Sequence, residues 1–307
     1  MMNTELEQVV IEVNKIVKGK DPVIRKVLGA ILAGGHVLLE DIPGVGKTTL
    51  AMALGRAMDL DYRRMQFTPD VLPSDIVGFT MYNSGTGSFE YKEGAVFCNL
   101  FLADELNRTS SKTQSALLEV MEESRVTVDG ISHALPTPFT VIATENPFGA
   151  SGTQRLPESQ LDRFLICLNM GYPSHEAAME VLKGSVGRNL DKVQSVLSVK
   201  RLMELRTQAD RLHVEDSIYE YIINLTEATR RDARIALGIS PRGSIALLKM
   251  AKATALMRGA EYVIPEDVLT VIGDVWGHRI HLNAKAKAEG MDAAQVIFEI
   301  TERIHAV

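Results

Sequence analysis

The sequence predicts an α/β protein in two parts, a parallel sheet flanked by helices and then a stretch that is helical throughout. Three observations carry the prediction. The apolar runs Val37-Leu38-Leu39, Leu100-Phe101-Leu102-Ala103 and Phe139-Thr140-Val141-Ile142-Ala143 each end abruptly in polar residues, as strands covered on both faces do. Between the first run and a helix stands a glycine-rich turn, Gly44-Val45-Gly46. Beyond Ser174, apolar residues recur at helical spacing only. At 307 residues the chain has room for two domains, because single cores stop growing near about 250–300 residues.

Composition is that of an ordinary globular protein, with 46% hydrophobic and 23% charged residues. A net charge of −6 offers no electrostatic footprint for nucleic acid. Cys98 and Cys167 each lie in an apolar stretch, which reads as buried reduced thiols of a cytoplasmic protein. No apolar run approaches the roughly 20 residues that span a bilayer, and Met1-Met2-Asn3-Thr4-Glu5 does not open a signal peptide.

In chain order, Leu6, Val9, Val10, Val13 and Ile16 recur at helical spacing, with Gly19 as a helix stop. Asp21 and Pro22 then cap a second helix through Val27, Leu28 and Ile31. This brings Val17 and Gly19 beside the glycine-rich turn, where an adenine ring has room to pack against backbone; a plain helix stop explains Gly19 equally well.

The turn itself reads as a phosphate loop running from Pro43 to Thr49. Gly44 and Gly46, on either side of Val45, let the backbone approach a ligand with no Cβ in the way, so successive N–H groups can wrap a phosphate. At the mouth of the next helix Lys47 reaches for the β- and γ-phosphates, and Thr48 offers its hydroxyl to Mg²⁺. The loop departs from G-x-x-x-x-G-K-[ST] at Asp41, which stands where the pattern has glycine. Asp tolerates unusual backbone angles better than most residues. The competing reading is a glycine-rich turn of some other α/β enzyme.

Tyr62 to Phe67 reads as another strand. Residues 68–98 are rich in Pro, Ser, Gly and Asn, and read as an excursion with short strands around Phe79 to Met81 and Phe89 to Tyr91. The run ending at Ala103 then passes straight into Asp104-Glu105. In an open parallel sheet the carboxyl ends of the strands line the ligand crevice, so both acids emerge beside the phosphate loop. Asp104 is placed to hold Mg²⁺ through water, and Glu105 to polarise an attacking water as general base. A solvated strand end is the alternative.

Ser111, with Gln114 three residues on, predicts a capping box for a helix through Leu117, Leu118 and Met121. Asp129-Gly130 between alternating runs predicts a hairpin over about 125–134. His133 in that hairpin has no partner at metal-ligand spacing and reads as a polar strand residue. The strand from Phe139 ends at Asn146, where an amide can hold water in line with a γ-phosphate, or simply form a turn. Leu156 to Phe164 starts a short helix at Pro157 and enters a last strand over Leu165 to Leu168. Gly171-Tyr172-Pro173-Ser174 is a linker, with Ser174 capping the next helix. Helices follow over about 174–183, 198–212, 216–234, 241–258, 265–276 and 292–305. Ser240-Pro241 starts one of them and places Arg242 where its guanidinium can face the nucleotide, or stand as a surface arginine.

The ordered blocks Glu40 to Thr48, Ala103 to Arg108, Lys112 to Glu119, Ala143 to Pro147, Leu156 to Phe164 and Ser240 to Arg242 strongly resemble the MoxR family of AAA+ ATPases, over nearly the whole chain. The resemblance implies a P-loop AAA+ core over 1–171, with an αβα arrangement and a five-stranded parallel sheet, followed by an all-helical lid over 172–307. It makes 68–98 the helix-2 insert and 125–134 the pre-sensor hairpin, both facing the pore of a ring. Asn146 takes the place of sensor 1 and Arg242 that of sensor 2. Arg163 takes that of the arginine finger, acting on ATP held by the adjacent subunit. Arg155 is a second finger candidate, because Gln154-Arg155 stands where the family often has Tyr-Pro, and Arg108 can also face the neighbour. Asp41 is familiar in this family.

The function so implied is Mg²⁺-dependent ATP hydrolysis by an oligomeric ring, a hexamer, that remodels, matures or assembles partner proteins, with metal insertion among the outcomes. A protein with a von Willebrand factor A domain is the partner type the family points to; the client itself is unnamed by these residues. The rivals are a nucleic-acid-stimulated motor, a chelatase-type motor subunit and a non-hydrolysing nucleotide switch. The acidic balance argues against the first, and the intact Asp104-Glu105 pair against the last.

Overall fold

The computed structural model describes residues 3–41, 44–146, 156–172, 175–182 and 190–306. Its centre is a five-stranded sheet in which every pairing is parallel, in the order Tyr62–Gln66, Leu100–Asp104, Thr140–Glu145, Val37–Glu40, Ile166–Leu168. Helix α1 (Thr4–Asn14) is capped by Asn3, whose side chain accepts from the Glu5 and Leu6 amides. It stops well short of Gly19, which lies in a following turn at φ +70°. Helix α2 (Asp21–Leu32) has Lys20 at the cap position, so Asp21 is not its cap. The Asp21 carboxylate instead accepts from Asn14 and Arg25.

Strand β1 (Val37–Glu40) leads through the phosphate loop into α3 (Lys47–Ala57), and β2 (Tyr62–Gln66) follows. His36 fixes the entry to β1: its Nδ1 accepts from the Val141 amide, which leaves Nε2 to donate to the Met121 carbonyl, both at 2.9 Å. The excursion holds an unexpected helix, α4 (Pro73–Val77), started by Pro73 and by Asp75 accepting from the Leu72 amide. Strands β3 (Gly78–Asn83) and β4 (Ser88–Glu93) then form the expected hairpin. Strand β5 (Leu100–Asp104) runs through a tight turn into α5 (Ser111–Glu123).

The cap of α5 is Ser110, one residue before the expected Ser111. Ser110 is extended and its hydroxyl accepts from the Thr113 amide, so Gln114 falls one place too late for a capping box. Its amide donates to the Leu106 and Thr109 carbonyls instead.

Strands β6 (Arg125–Val128) and β7 (Ile131–Ala134) pair around Asp129 and Gly130, both at positive φ, as an Asp-Gly turn requires. His133 stacks on Tyr91 with ring centroids 3.9 Å apart and planes 12° apart, which joins the two hairpins. The fully buried β8 (Thr140–Glu145), a short α6 (Glu158–Leu161) and the edge strand β9 (Ile166–Leu168) complete the sheet layer.

The remaining helices are α7 (His175–Leu182), α8 (Val199–Asp210), α9 (Asp216–Arg231), α10 (Pro241–Met257), α11 (Pro265–Trp276), α12 (Ala284–Ala288) and α13 (Ala293–Arg303). The expected cap Ser174 lies outside the described residues. The stretch is not wholly helical. Strands β10 (Ile235–Leu237) and β11 (His281–Leu282) pair antiparallel and are too short for periodicity to reveal.

One apolar cluster fills the space between α1, α2, α3 and the helices from α8 on; a second lies across the sheet under α4 and α5. The single tryptophan, Trp276, is fully buried in the first cluster, and its indole N–H donates to the Gly243 carbonyl at 3.1 Å. Truncating such a side chain to alanine costs about 3–5 kcal/mol. Cys98 and Cys167 are free thiols. Burial pushes Cys98 up to about 12 and Cys167 well above the usual range, so both are unreactive as nucleophiles.

Candidate functional site

Gly46 closes the phosphate loop at φ +97°, a conformation that suits glycine alone, and Lys47 is the first residue of α3. Residues Gly44, Gly46, Lys47, Thr48 and Thr49 form one wall of a hollow of about 380 Å³. The opposite wall is formed by Arg64 and Gln66 of β2 and by Asp104, Glu105 and Asn146 at the carboxyl ends of β5 and β8. The sheet order puts those ends next to β1, so the crevice follows from topology. Lys47 is buried, and its ammonium donates to the Asp41 carbonyl at 2.7 Å. Burial lowers its pKa against the opposing pull of Asp41, Asp104 and Glu105.

The two acids are held by different neighbours. Asp104 accepts from the Thr144 hydroxyl at 2.8 Å on one oxygen and from Arg64 at 2.7 and 3.1 Å on the other. Glu105 sits at φ +56°, in the left-handed region, which costs on the order of 1 kcal/mol and turns it off the line of β5. Its amide donates to the same Thr144 hydroxyl at 2.8 Å. Its carboxylate accepts from Gln66 at 3.0 Å and Arg108 at 2.7 Å. Asn107 reaches across to the Asn146 carbonyl at 3.2 Å.

The other candidates lie elsewhere. Arg242 does not face this hollow: the Ser240 cap and Pro241 start α10 against the end of α5, where Arg242 pairs with Glu122 at 3.4 Å. Arg163 pairs with the other oxygen of Glu122, also at 3.4 Å. The two arginines line a separate hollow of about 180 Å³. The segment that carries Arg163 is clamped by the buried guanidinium of Arg279, which donates to Asp162 Oδ1 at 2.7 Å and to the Asp162, Phe164 and Leu165 carbonyls.

Val17 is buried in the apolar cluster, and neither it nor Gly19 lines the phosphate hollow. Val45 packs half-buried against the same cluster, its side chain drawn there by apolar contact. Arg108 is tied to Glu105 of its own chain. Pro43 and Arg155 lie outside the described residues.

Sequence reasoning missed Thr144, Arg64, Gln66 and Glu122. Alternation along β2 is the signal that was there to be read: Arg64 and Gln66 share a face, and Gln66 lies in register with Asp104. Nothing in the sequence marks Glu122 among the acids of α5.

Residues 36–166 match the family model for the ATPase family associated with various cellular activities (AAA), and residues 227–300 match the AAA lid domain. The chain is 45% identical to the uncharacterized protein YeaC of Bacillus subtilis, covering 97% of this chain and 94% of that one. It is 38% identical to Chaperone MoxR1 of Mycobacterium tuberculosis, covering 97% and 81%. Protein MoxR of Methylorubrum extorquens is 30% identical, covering 88% and 86%. A crystal structure of a candidate ATPase from Cytophaga hutchinsonii superposes with a TM-score of 0.91 at 40% identity, covering 99% of this chain and 95% of that one. With the parallel sheet, the phosphate loop and the strand-end acids in place, the chain belongs to the MoxR family of AAA+ ATPases.

Proposed function

We propose that the chain is the subunit of a cytoplasmic hexameric ring that spends ATP to remodel or assemble a client protein, with a core over 1–171 and a lid over 172–307. The observation that carries this reading is a division of labour. Lys47, Thr48, Asp104, Glu105 and Asn146 share one hollow with Arg64, which is engaged with Asp104, whereas Arg163 and Arg242 share another, so that among the described residues no lid cation lines the first. A site built this way calls for a neighbour's arginines to complete it.

In this reading the loop amides and Lys47 hold the phosphates, Glu105 takes the proton of the attacking water and Asn146 orients that water. Mg²⁺ fits the oxygen donors present, Thr48 and Asp104, and when bound would neutralise charge on the phosphate oxygens. Both oxygens of Asp104 already accept hydrogen bonds, which suits a carboxylate acting through water. Arg163, with Arg242 beside it, serves the neighbour's phosphates rather than its own. Exposed Phe79, Tyr82 and Phe89 on the β3–β4 hairpin supply apolar surface for a client. A von Willebrand factor A domain protein is the partner this family reading favours.

The test separates binding from turnover. Lys47→Ala should lose ATP binding. Arg163→Ala should bind ATP normally and hydrolyse it about 10³-fold more slowly or worse. Mixing Arg163→Ala with Glu105→Gln protein should restore some hydrolysis at composite interfaces. Wild-type turnover by Arg163→Ala would sink the assignment of the finger.

A further inference from the structure

We propose that Asp41 is a positioning residue that ties the phosphate loop to the segment leading into the lid, so that filling the phosphate hollow changes how firmly residues 170–172 are held. The proposal rests on nucleotide entering that hollow. Asp41 occupies the place where the phosphate-loop pattern has its first glycine. It does more there than tolerate a turn. Its carboxylate accepts from the Gly171 amide at 2.6 Å, a short charge-assisted bond across 130 residues of chain. Its carbonyl accepts from the Lys47 ammonium at 2.7 Å, and its amide continues the sheet ladder onto the Glu145 carbonyl. One residue is thus bonded at once to the phosphate-binding lysine, to the sheet and to the linker.

Two further contacts converge on the same segment. A Cβ placed on Gly46 would meet the Met170 side chain at 3.9 Å, so Met170 lies against the phosphate loop itself. On the other side, the buried ammonium of Lys20 donates to three successive carbonyls, those of Met170, Gly171 and Tyr172. Gly171 is at φ +64°, where a side chain would be strained. The linker is therefore held by two tethers, and they differ in kind. Lys20 comes from the start of α2, and among the described residues its ammonium bonds only to the linker carbonyls. Asp41 shares its carbonyl with Lys47, for which the β-phosphate of a bound nucleotide competes. A change in that sharing moves the backbone of Asp41, and its carboxylate carries the change to Gly171.

Hydrogen exchange of the segment ending at Tyr172, with ADP binding measured on the same samples, tests the inference in the full chain. In the wild-type protein ADP should change exchange at Gly171 by about fivefold, the effect of strengthening or weakening one hydrogen bond. Asp41→Gly removes the carboxylate and restores the pattern glycine; Lys20 keeps the segment folded. It should bind ADP within about threefold of wild type and show no response at Gly171. Asp41→Asn, which keeps an acceptor without charge, should respond partly. A wild-type response from Asp41→Gly overturns the proposal, as does a wild-type protein that binds ADP without any change at Gly171. Loss of ADP binding in Asp41→Gly alone also overturns it, because the side chain would then serve the loop and not the linker. Failure of the wild-type protein to bind ADP sinks the nucleotide reading itself, a result distinct from all of these.

Discussion

Arg163 and Arg242, from segments 79 residues apart in sequence, stand on opposite oxygens of one carboxylate, each 3.4 Å from Glu122. Two guanidinium groups this close repel one another, and Glu122 offsets the repulsion while fixing where both point. The triad is half exposed, so its share of fold stability is small, at most about 1 kcal/mol. Glu122→Gln should therefore melt within a few degrees of wild type yet turn over ATP several-fold more slowly, with KM unchanged. Adding Glu122→Gln to Arg163→Ala should slow hydrolysis no further. Additive losses in that double variant would show that Glu122 does not act through the arginine.

Thr144 joins the two acids, donating to Asp104 and accepting from the Glu105 amide while fully buried. Thr144→Val keeps the shape and deletes both bonds. Orphaning a buried polar partner costs about 1–3 kcal/mol, and the left-handed turn at Glu105 loses its brace. Turnover should fall at least about tenfold, whereas Thr144→Ser should retain most of it. Steady-state hydrolysis together with urea melts of the two variants distinguishes the lost hydroxyl from lost packing.

Acid should weaken the fold through two histidines, the buried His36 and the half-buried His278. Burial, with Arg206 and Arg242 nearby, holds His36 down at about 4. Burial, with Arg279 beside it, holds His278 down at about 3. In the unfolded chain such groups protonate near 6.5. Between about pH 6.5 and the folded values the unfolded state carries more protons, so stability falls as pH is lowered through that window. For His36 alone the loss is on the order of 3 kcal/mol by pH 4. Urea midpoints near neutral pH and near pH 5 should show the drop, and His36→Gln should flatten it. An unchanged slope in His36→Gln would assign the acid sensitivity to other groups.

The stack of His133 on Tyr91 is the ring contact that links the two hairpins. Aromatic pairs contribute about 0.5–1.5 kcal/mol beyond buried area. His133→Ala should accordingly speed protease cutting at the Ser84–Gly87 turn a few-fold and leave ATP binding unchanged. Equal cutting rates in the two proteins would mean that the hairpins are held together by other contacts.

Much of the fold is legible in the sequence because its signals are strong and local. Strands that end in charged residues, an Asp-Gly turn and Ser-Pro at a helix start each have a physical cause acting within a few residues. The phosphate loop and the Asp104-Glu105 pair are legible for the same reason. What the sequence conceals depends on which distant segments meet. The bond from Asp41 to Gly171, the sharing of Glu122 and the clamp of Arg279 on Asp162 each span a long stretch of chain with no periodic signature. Arg242 shows the limit most clearly. Its cap and first turn are predictable, but the side of the sheet on which the helix docks is a tertiary fact that only packing decides.

Trp276 gives the molecule an intrinsic gauge. Its indole is bonded to the carbonyl of the residue that follows Arg242, and no second indole obscures it. Any movement of the first turn of α10 must alter the polarity or the bonding around that ring. Its ultraviolet emission therefore reports, without an added label, whether the lid arginine keeps its seat when nucleotide arrives or subunits associate.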